Sequence, residues 1–270
     1  MNEQHGAHDR DPWHRRAVGA VGVLVLAVLH DVGGQLLTAR AALACLLRGR
    51  IDGRETLRHV DRFGVGSLPL VLGGSVVVGG IVAMQGLGYI SRYNATDVFG
   101  WASAVSAFRE VGPLLLGLTL AARLGAKNTA ELASMQARER LDAVKALGLD
   151  VTEVVVAPRL CAIVLSTVLV YPLCTITVLW TAFGLAAAVG DQRWSASVSS
   201  LLTYVPWTTP LQGLFRLACF GVLIAVSSSW FGTRGGRDAR AIGQAVYAQS
   251  VASLSGVVVL NLTLTLLGGA

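Results

Sequence analysis

The chain has 270 residues, a net charge of +6 and only 14% charged residues, with a mean hydropathy of +0.60. Soluble domains carry about 25% charged residues, and the deficit here is gathered into long uncharged runs, which excludes an ordinary soluble all-α protein. The arginines sit at the ends of those runs rather than along one polar face, which sets nucleic-acid binding aside.

In chain order, residues 1–16 are polar, carry His5, His8 and His14, and are expected to form a disordered tail. Arg15 and Arg16 precede an apolar run at 17–29 with the length of a signal-peptide core. His30, Asp31, Gln35 and Arg40 interrupt the path to Ala42-Leu43-Ala44-Cys45, so a cleaved leader is not the preferred reading. The segment 17–62 is instead expected to be interfacial, with one or two amphipathic helices over 17–48 lying at the membrane surface.

No Asp, Glu, Lys or Arg falls between Arg62 and Arg92, between Arg159 and Asp191, or from Ala241 to the end. The stretches 98–122 and 194–233 are interrupted only by Arg109 with Glu110 and by Arg216. About 20 apolar residues cross a bilayer, which predicts five spans at 64–89, 98–124, 155–189, 206–232 and 243–268 within one domain over 63–270. Nine arginines lie in 1–62, six basic residues in 123–159 and three in 234–240, against Arg92 and Arg193 on the other side. The positive-inside rule then puts the N-terminus in the cytoplasm and, after five spans, the C-terminus outside.

In the first span Ser75, Gly79 and Ala83 recur at an interval of four, which suits close helix packing within the chain or against a second copy. The second span contains Arg109-Glu110-Val111-Gly112-Pro113. Counted from Val98, Arg109 lies about 16 Å deep, where a charge must be paired or wetted. Pro113 cannot donate to the carbonyl four residues back, so a kink is expected. The group is either a wet, bent point in a pathway or a structural pair held by other helices.

The cytoplasmic segment 127–150 is polar and helical in pattern. Over 138–148 Leu141, Val144 and Leu147 fall on one face, Arg138 with Asp142 and Asp142 with Lys145 are spaced as side-chain pairs, and Gly148 is placed to stop the helix. With no soluble domain in view to cover it, the apolar stripe is expected to be free to dock in a partner's groove. Cys45, Cys161, Cys174 and Cys219 are scattered, no metal-ligand spacing is present, and no phosphate-binding loop accompanies the two lysines, Lys127 and Lys145.

The block Ala130-Glu131-Leu132-Ala133-Ser134-Met135, followed by Glu139-Arg140-Leu141-Asp142-Ala143-Val144, Leu147-Gly148-Leu149-Asp150 and Pro158-Arg159, resembles the MlaE/YrbE permeases, subunits of the ABC transporters that work with MCE proteins. Arg109-Glu110-Val111-Gly112-Pro113, Ala121-Ala122-Arg123-Leu124-Gly125, Gly64 with Ser67 and Pro69, and Gln85 fit the same family, over roughly 55–268. The chain departs from the family at Val151, where Pro is usual, at Ala133, where Gly is usual, and over 239–245. Its style is similar to the actinobacterial B-type YrbE chains. The resemblance implies an all-α integral membrane fold: an interfacial N-terminal helix, five transmembrane helices and a cytoplasmic coupling helix.

Implied further are contact of Glu131, Met135, Glu139, Leu141, Asp142, Ala143, Val144, Leu147 and Gly148 with an ATPase subunit, and a pathway near Gln85, Arg109, Glu110 and Pro113. The implied partners are a second permease, of A type, a cytosolic ATPase dimer that holds ATP and Mg, and MCE proteins on the outer face. This chain would itself be non-catalytic and hold no cofactor. Its cargo would be a lipid: a phospholipid, fatty acid, mycolic acid or sterol. A proton-coupled secondary transporter using Glu110, or a non-conducting scaffold, are the alternatives.

Overall fold

The computed structural model describes residues 12–48, 53–93, 99–190, 192–236 and 238–268. Residues 1–11 of the expected tail over 1–16, Asp191 and Ala270 lie outside them, and residues 12–16 of that tail are helical. Among the described residues there is no strand, and five helical segments are long and apolar enough to cross a membrane: Gly53–Tyr89, Phe99–Ala137, Thr152–Val189, Thr208–Thr233 and Ala239–Leu267. The protein is an all-α, multi-pass membrane protein, with spans near the five expected positions.

The elements are α1 (Pro12–Leu47), α2 (Gly53–Val60) and α3 (Gly66–Tyr93); α4 (Phe99–Val105), α5 (Val111–Leu120) and α6 (Ala126–Ala137); the short α7 (Arg140–Ala146); then α8 (Ala157–Val189), α9 (Trp194–Tyr204), α10 (Thr208–Thr233) and α11 (Ala239–Gly268). Single π-helical turns at Asp61–Val65, Ser106–Glu110, Ala121–Gly125 and Thr152–Val156 join or begin these helices. Because the spans alternate in direction, α1, α2, α6, α7 and the α10–α11 connection share one face of the bundle, here the basic side.

Three features go beyond the expected layout. Residues 53–62, expected to be interfacial, form α2 and the π turn that run on into the helix of the first span. The helix of the second span continues past 124. Its helical segment has 39 residues, about 58 Å, against a hydrocarbon core of about 30 Å, so α6 projects out of the membrane on the basic side. The third is α9, which the apolar composition of 194–233 concealed. It packs on α4 through the Ser200 hydroxyl, which accepts from the Trp101 N–H at 3.2 Å. Trp194 touches Phe183 and Trp180 beside it, with ring centroids 5.8 and 5.1 Å away, the kind of aromatic girdle found where a bundle meets the lipid headgroups.

Lipid tails are as apolar as leucine, so burial alone does not drive spans together and close approach of small residues must. The long α8 is the centre of the bundle. Gly79 of α3 lies so near the Val178 carbonyl and Thr181 that a Cβ would collide, so the small-residue stripe serves α3–α8 packing within the chain. Gly125 meets α11 in the same way, under the buried Gln249 amide. Phe63, Leu120, Leu124, Ile163, Leu217, Phe220 and Ile224 fill the centre and are fully buried.

One continuous helix, α1, covers the segment expected to hold one or two. Its middle is tied to the last turns of α10: Ser227 donates to Gln35 at 3.0 Å, the Trp230 indole donates to Asp31 at 3.3 Å, and Gly34 leaves room for the Trp230 ring. Leu26, Leu29, Leu36 and Leu37, each more than 60% exposed, face away from the bundle.

Candidate functional site

Two regions gather the residues singled out above. The first is inside the membrane. Pro113 does interrupt the second span, but as a π turn over Ser106–Glu110 rather than a simple bend. The Val111 N–H reaches back five residues to the Ser106 carbonyl, Glu110 leaves helical geometry at φ −125 and ψ −70, and a Cβ on Gly112 would strike the Ala107 carbonyl. The re-registered backbone accommodates a proline that has no N–H to give. The turn carries Arg109 to the wall of a cavity of about 670 Å³ lined also by Gln212, Phe215, Arg216, Leu264 and Leu267.

Arg216 is buried, donates to the Thr265 hydroxyl at 3.0 Å, and feels the charges of both Arg109 and Glu110. Counted from Thr208, Arg216 is about 12 Å along α10, and Arg109 is about 15 Å from Phe99, so two cations stand at similar depth beside apolar walls. Glu110 is exposed, Pro113 is buried, and Gln85 is exposed on α3. A second, apolar cavity of about 320 Å³ lies between α3, α5 and α8, where Gly74, Ser75, Val78, Gly112, Leu115 and Val178 line it; Gln85 lines neither. Arg109 and Arg216 thus share one cavity with apolar side chains, whereas the α3–α5–α8 cavity has no charged residue in its wall.

The second region is the basic side, where α6 leads into α7. The expected docking stripe is not a single exposed face. Leu141 is 1% exposed and packs with Leu132 and Val155, because the long second span supplies the cover that the sequence left out of view. Val144 is half-buried, and Leu147 is 76% exposed. Glu139 makes the corner between α6 and α7 in the left-handed region, at φ 57. Gly148, at φ 73, ends α7: its N–H bonds the Lys145 carbonyl at 2.9 Å and the Leu149 N–H bonds the Val144 carbonyl at 3.3 Å, the glycine-dependent helix stop expected at this position. Asp142 and Lys145 pair at 3.3 Å on the surface. The exposed tip is thus Glu139, Ala143, Leu147 and Gly148, with Asp142 beside them.

Glu131 and Met135 point inward instead. The Glu131 carboxylate bridges Arg159 of α8 and Arg62 of the first span, each at 3.1 Å, and Met135 Sδ lies 3.5 Å from Arg159. Asn128 donates to Ser228 of α10 at 2.9 Å.

The pattern of motifs is matched by one family, described as Permease MlaE, over residues 56–267. The chain belongs to the MlaE permease family. Relatives include a probable ABC transporter permease protein of Rickettsia felis, 27% identical over 246 residues, 91% of this chain and 95% of that one. The intermembrane phospholipid transport system permease protein MlaE of Haemophilus influenzae is 27% identical over 211 residues, 72% of this chain and 76% of its own length. The chloroplastic protein Trigalactosyldiacylglycerol 1 of Arabidopsis thaliana is 26% identical over 225 residues, 82% of this chain and 63% of its own length.

For this MlaE-family permease, two functional candidates escaped the sequence argument. Arg216 was visible only as an interruption of an apolar run; its depth, matched to that of Arg109, was the available signal. Arg159 was visible only as part of a motif; a basic residue in the first turn of a span, with a carboxylate in the preceding polar segment, was the signal there.

Proposed function

We propose that this chain is the membrane subunit of an ATP-driven lipid transporter and has no catalytic activity of its own. The observation that carries this reading is the second span: one helical segment, Phe99–Ala137, runs from the Arg109 cavity to the projecting α6–α7 corner. A partner that moved the corner would therefore pull directly on the wall of the cavity. A cytosolic ATPase dimer docks at Glu139, Asp142, Ala143, Leu147 and Gly148 and holds the ATP and Mg. A second permease completes the lipid pathway, and MCE proteins receive or deliver the lipid on the far side. The basic side is cytoplasmic, as its arginines support, α1 lies in the cytoplasmic interface, and the protein resides in the cell membrane. Arg109 and Arg216 neutralise an anionic headgroup, a role that the name of the Haemophilus influenzae phospholipid transport permease supports.

The test is lipid transfer by the tagged native complex in liposomes containing fluorescent phosphatidylglycerol. Transfer should require ATP, stop with vanadate, and fall about ten- to hundredfold in Arg109→Ala, the order expected when a charged contact worth about 1.5–3 kcal/mol is lost. Transfer driven by a proton gradient without ATP would favour a secondary transporter and refute this reading.

A further inference from the structure

On the permease reading, movement of the α6–α7 corner must reach α8, the central span and one wall of the apolar cavity. One side chain of α8 reaches directly across to α6. Arg159, in the first turn of α8, is 8% exposed. Its Nη1 donates to Glu131 at 3.1 Å and lies 3.5 Å from the Asn128 side-chain oxygen, and its Nη2 lies 3.5 Å from Met135 Sδ. Residues 128, 131 and 135 are spaced three and four apart, so they form one face of α6. A single buried guanidinium thus grips that whole face.

The same carboxylate holds the exposed Arg62 guanidinium at 3.1 Å, and Lys127 donates to the Arg62 carbonyl at 3.0 Å. Asn128 and Thr129 also bond Ser228 of α10. A planar guanidinium with donors fixed in a fork transmits displacement and rotation better than an apolar contact, which can slide.

We propose that Arg159, gripped by Glu131, is the positioning residue that transmits ATPase-driven movement of the coupling corner into α8, and that neither residue touches the ATPase. This rests on the permease reading above and replaces the expectation that Glu131 and Met135 form part of the docking surface.

Removing one partner alone strands a buried charge and threatens folding, whereas replacing both by apolar residues of similar size is tolerated. The informative variant is therefore Glu131→Leu with Arg159→Met, compared with the exchange Glu131→Arg with Arg159→Glu made together with Arg62→Gln, so that the exchange does not set two guanidiniums against each other. Spin labels go at Lys145, Leu169 and Val259, all exposed, in the tagged native complex with Cys45, Cys161, Cys174 and Cys219 replaced. Distances are measured with and without ATP and vanadate.

In the parent complex both the 145–259 and the 169–259 distances should shift. In the apolar double variant the ATPase should stay bound, ATP hydrolysis should continue and the 145–259 shift should persist, while the 169–259 shift is lost. The charge exchange should restore it. A full 169–259 shift in the apolar double variant would overturn the proposal, as would release of the ATPase from that variant, which would make the pair part of the docking surface. No 145–259 shift in the parent would instead refute the permease reading itself, and the relay with it.

Discussion

Leu141 and Leu147 looked equivalent in the sequence, six residues apart on one helical face. The structure separates them completely: Leu141 is 1% exposed and Leu147 is 76% exposed. Periodicity reveals that a face is apolar; it does not reveal whether the cover comes from a partner or from the chain's own preceding helix. Here the cover is Leu132, carried out of the membrane by the unexpectedly long second span. Leu141→Ala should therefore destabilise the folded chain, by about 2–5 kcal/mol, as cavity-forming core truncations do. A thermal unfolding scan of the purified protein in detergent checks this, and an unfolding temperature equal to the parent's would show that Leu141 is not a core residue. Ion pairing was legible in the same partial way. Asp142 with Lys145 followed from spacing, whereas Glu131 with Arg159, 28 residues apart, could only come from the packing of α6 on α8.

At the scale of elements, the apolar runs were the easiest feature to see, because the bilayer sets a minimum length and removes the charges that would disguise it. What happened at their ends was harder. Helices continue past the membrane without a break, as α6 does, and start before it, as α2 does. Pro113 marked the break in the second span, but the π turn depends on Gly112 against the Ala107 carbonyl, a contact that no spacing rule contains.

The seat of α1 was equally hidden, since its anchors lie about 200 residues away in sequence. The Arg234 guanidinium stacks 3.8 Å over Trp230, whose indole bonds Asp31 and whose ring fills the space beside Gly34. Trp230→Ala removes all three contacts at once. Amide hydrogen exchange around Asp31 and Gln35 should then accelerate about tenfold or more, as expected of an element released from its packing, while exchange in α8 stays unchanged. Equal protection in both proteins would mean that α1 is held elsewhere.

Over the whole molecule, the MlaE-family membership and the geometry converge on one mechanical layout. Arg109 and the exposed Leu147 tip belong to a single run of helix that bends at the π turn, crosses the membrane and ends in the α6–α7 corner. The Arg159 grip links that run to α8, and α1 braces the same side against α10. On the proposed reading the tip is where a cytosolic ATPase would act, and with Leu147 76% exposed it contributes little to the fold itself. The most direct test is to purify the tagged chain with its native partners in mild detergent and compare the parent with Leu147→Asp. The substitution should leave the unfolding temperature of the chain within about 2 °C of the parent, as for surface changes generally, and should remove most of the ATPase and its ATP hydrolysis from the preparation. Full retention of the ATPase and of hydrolysis in Leu147→Asp would contradict the placement of the ATPase at this tip.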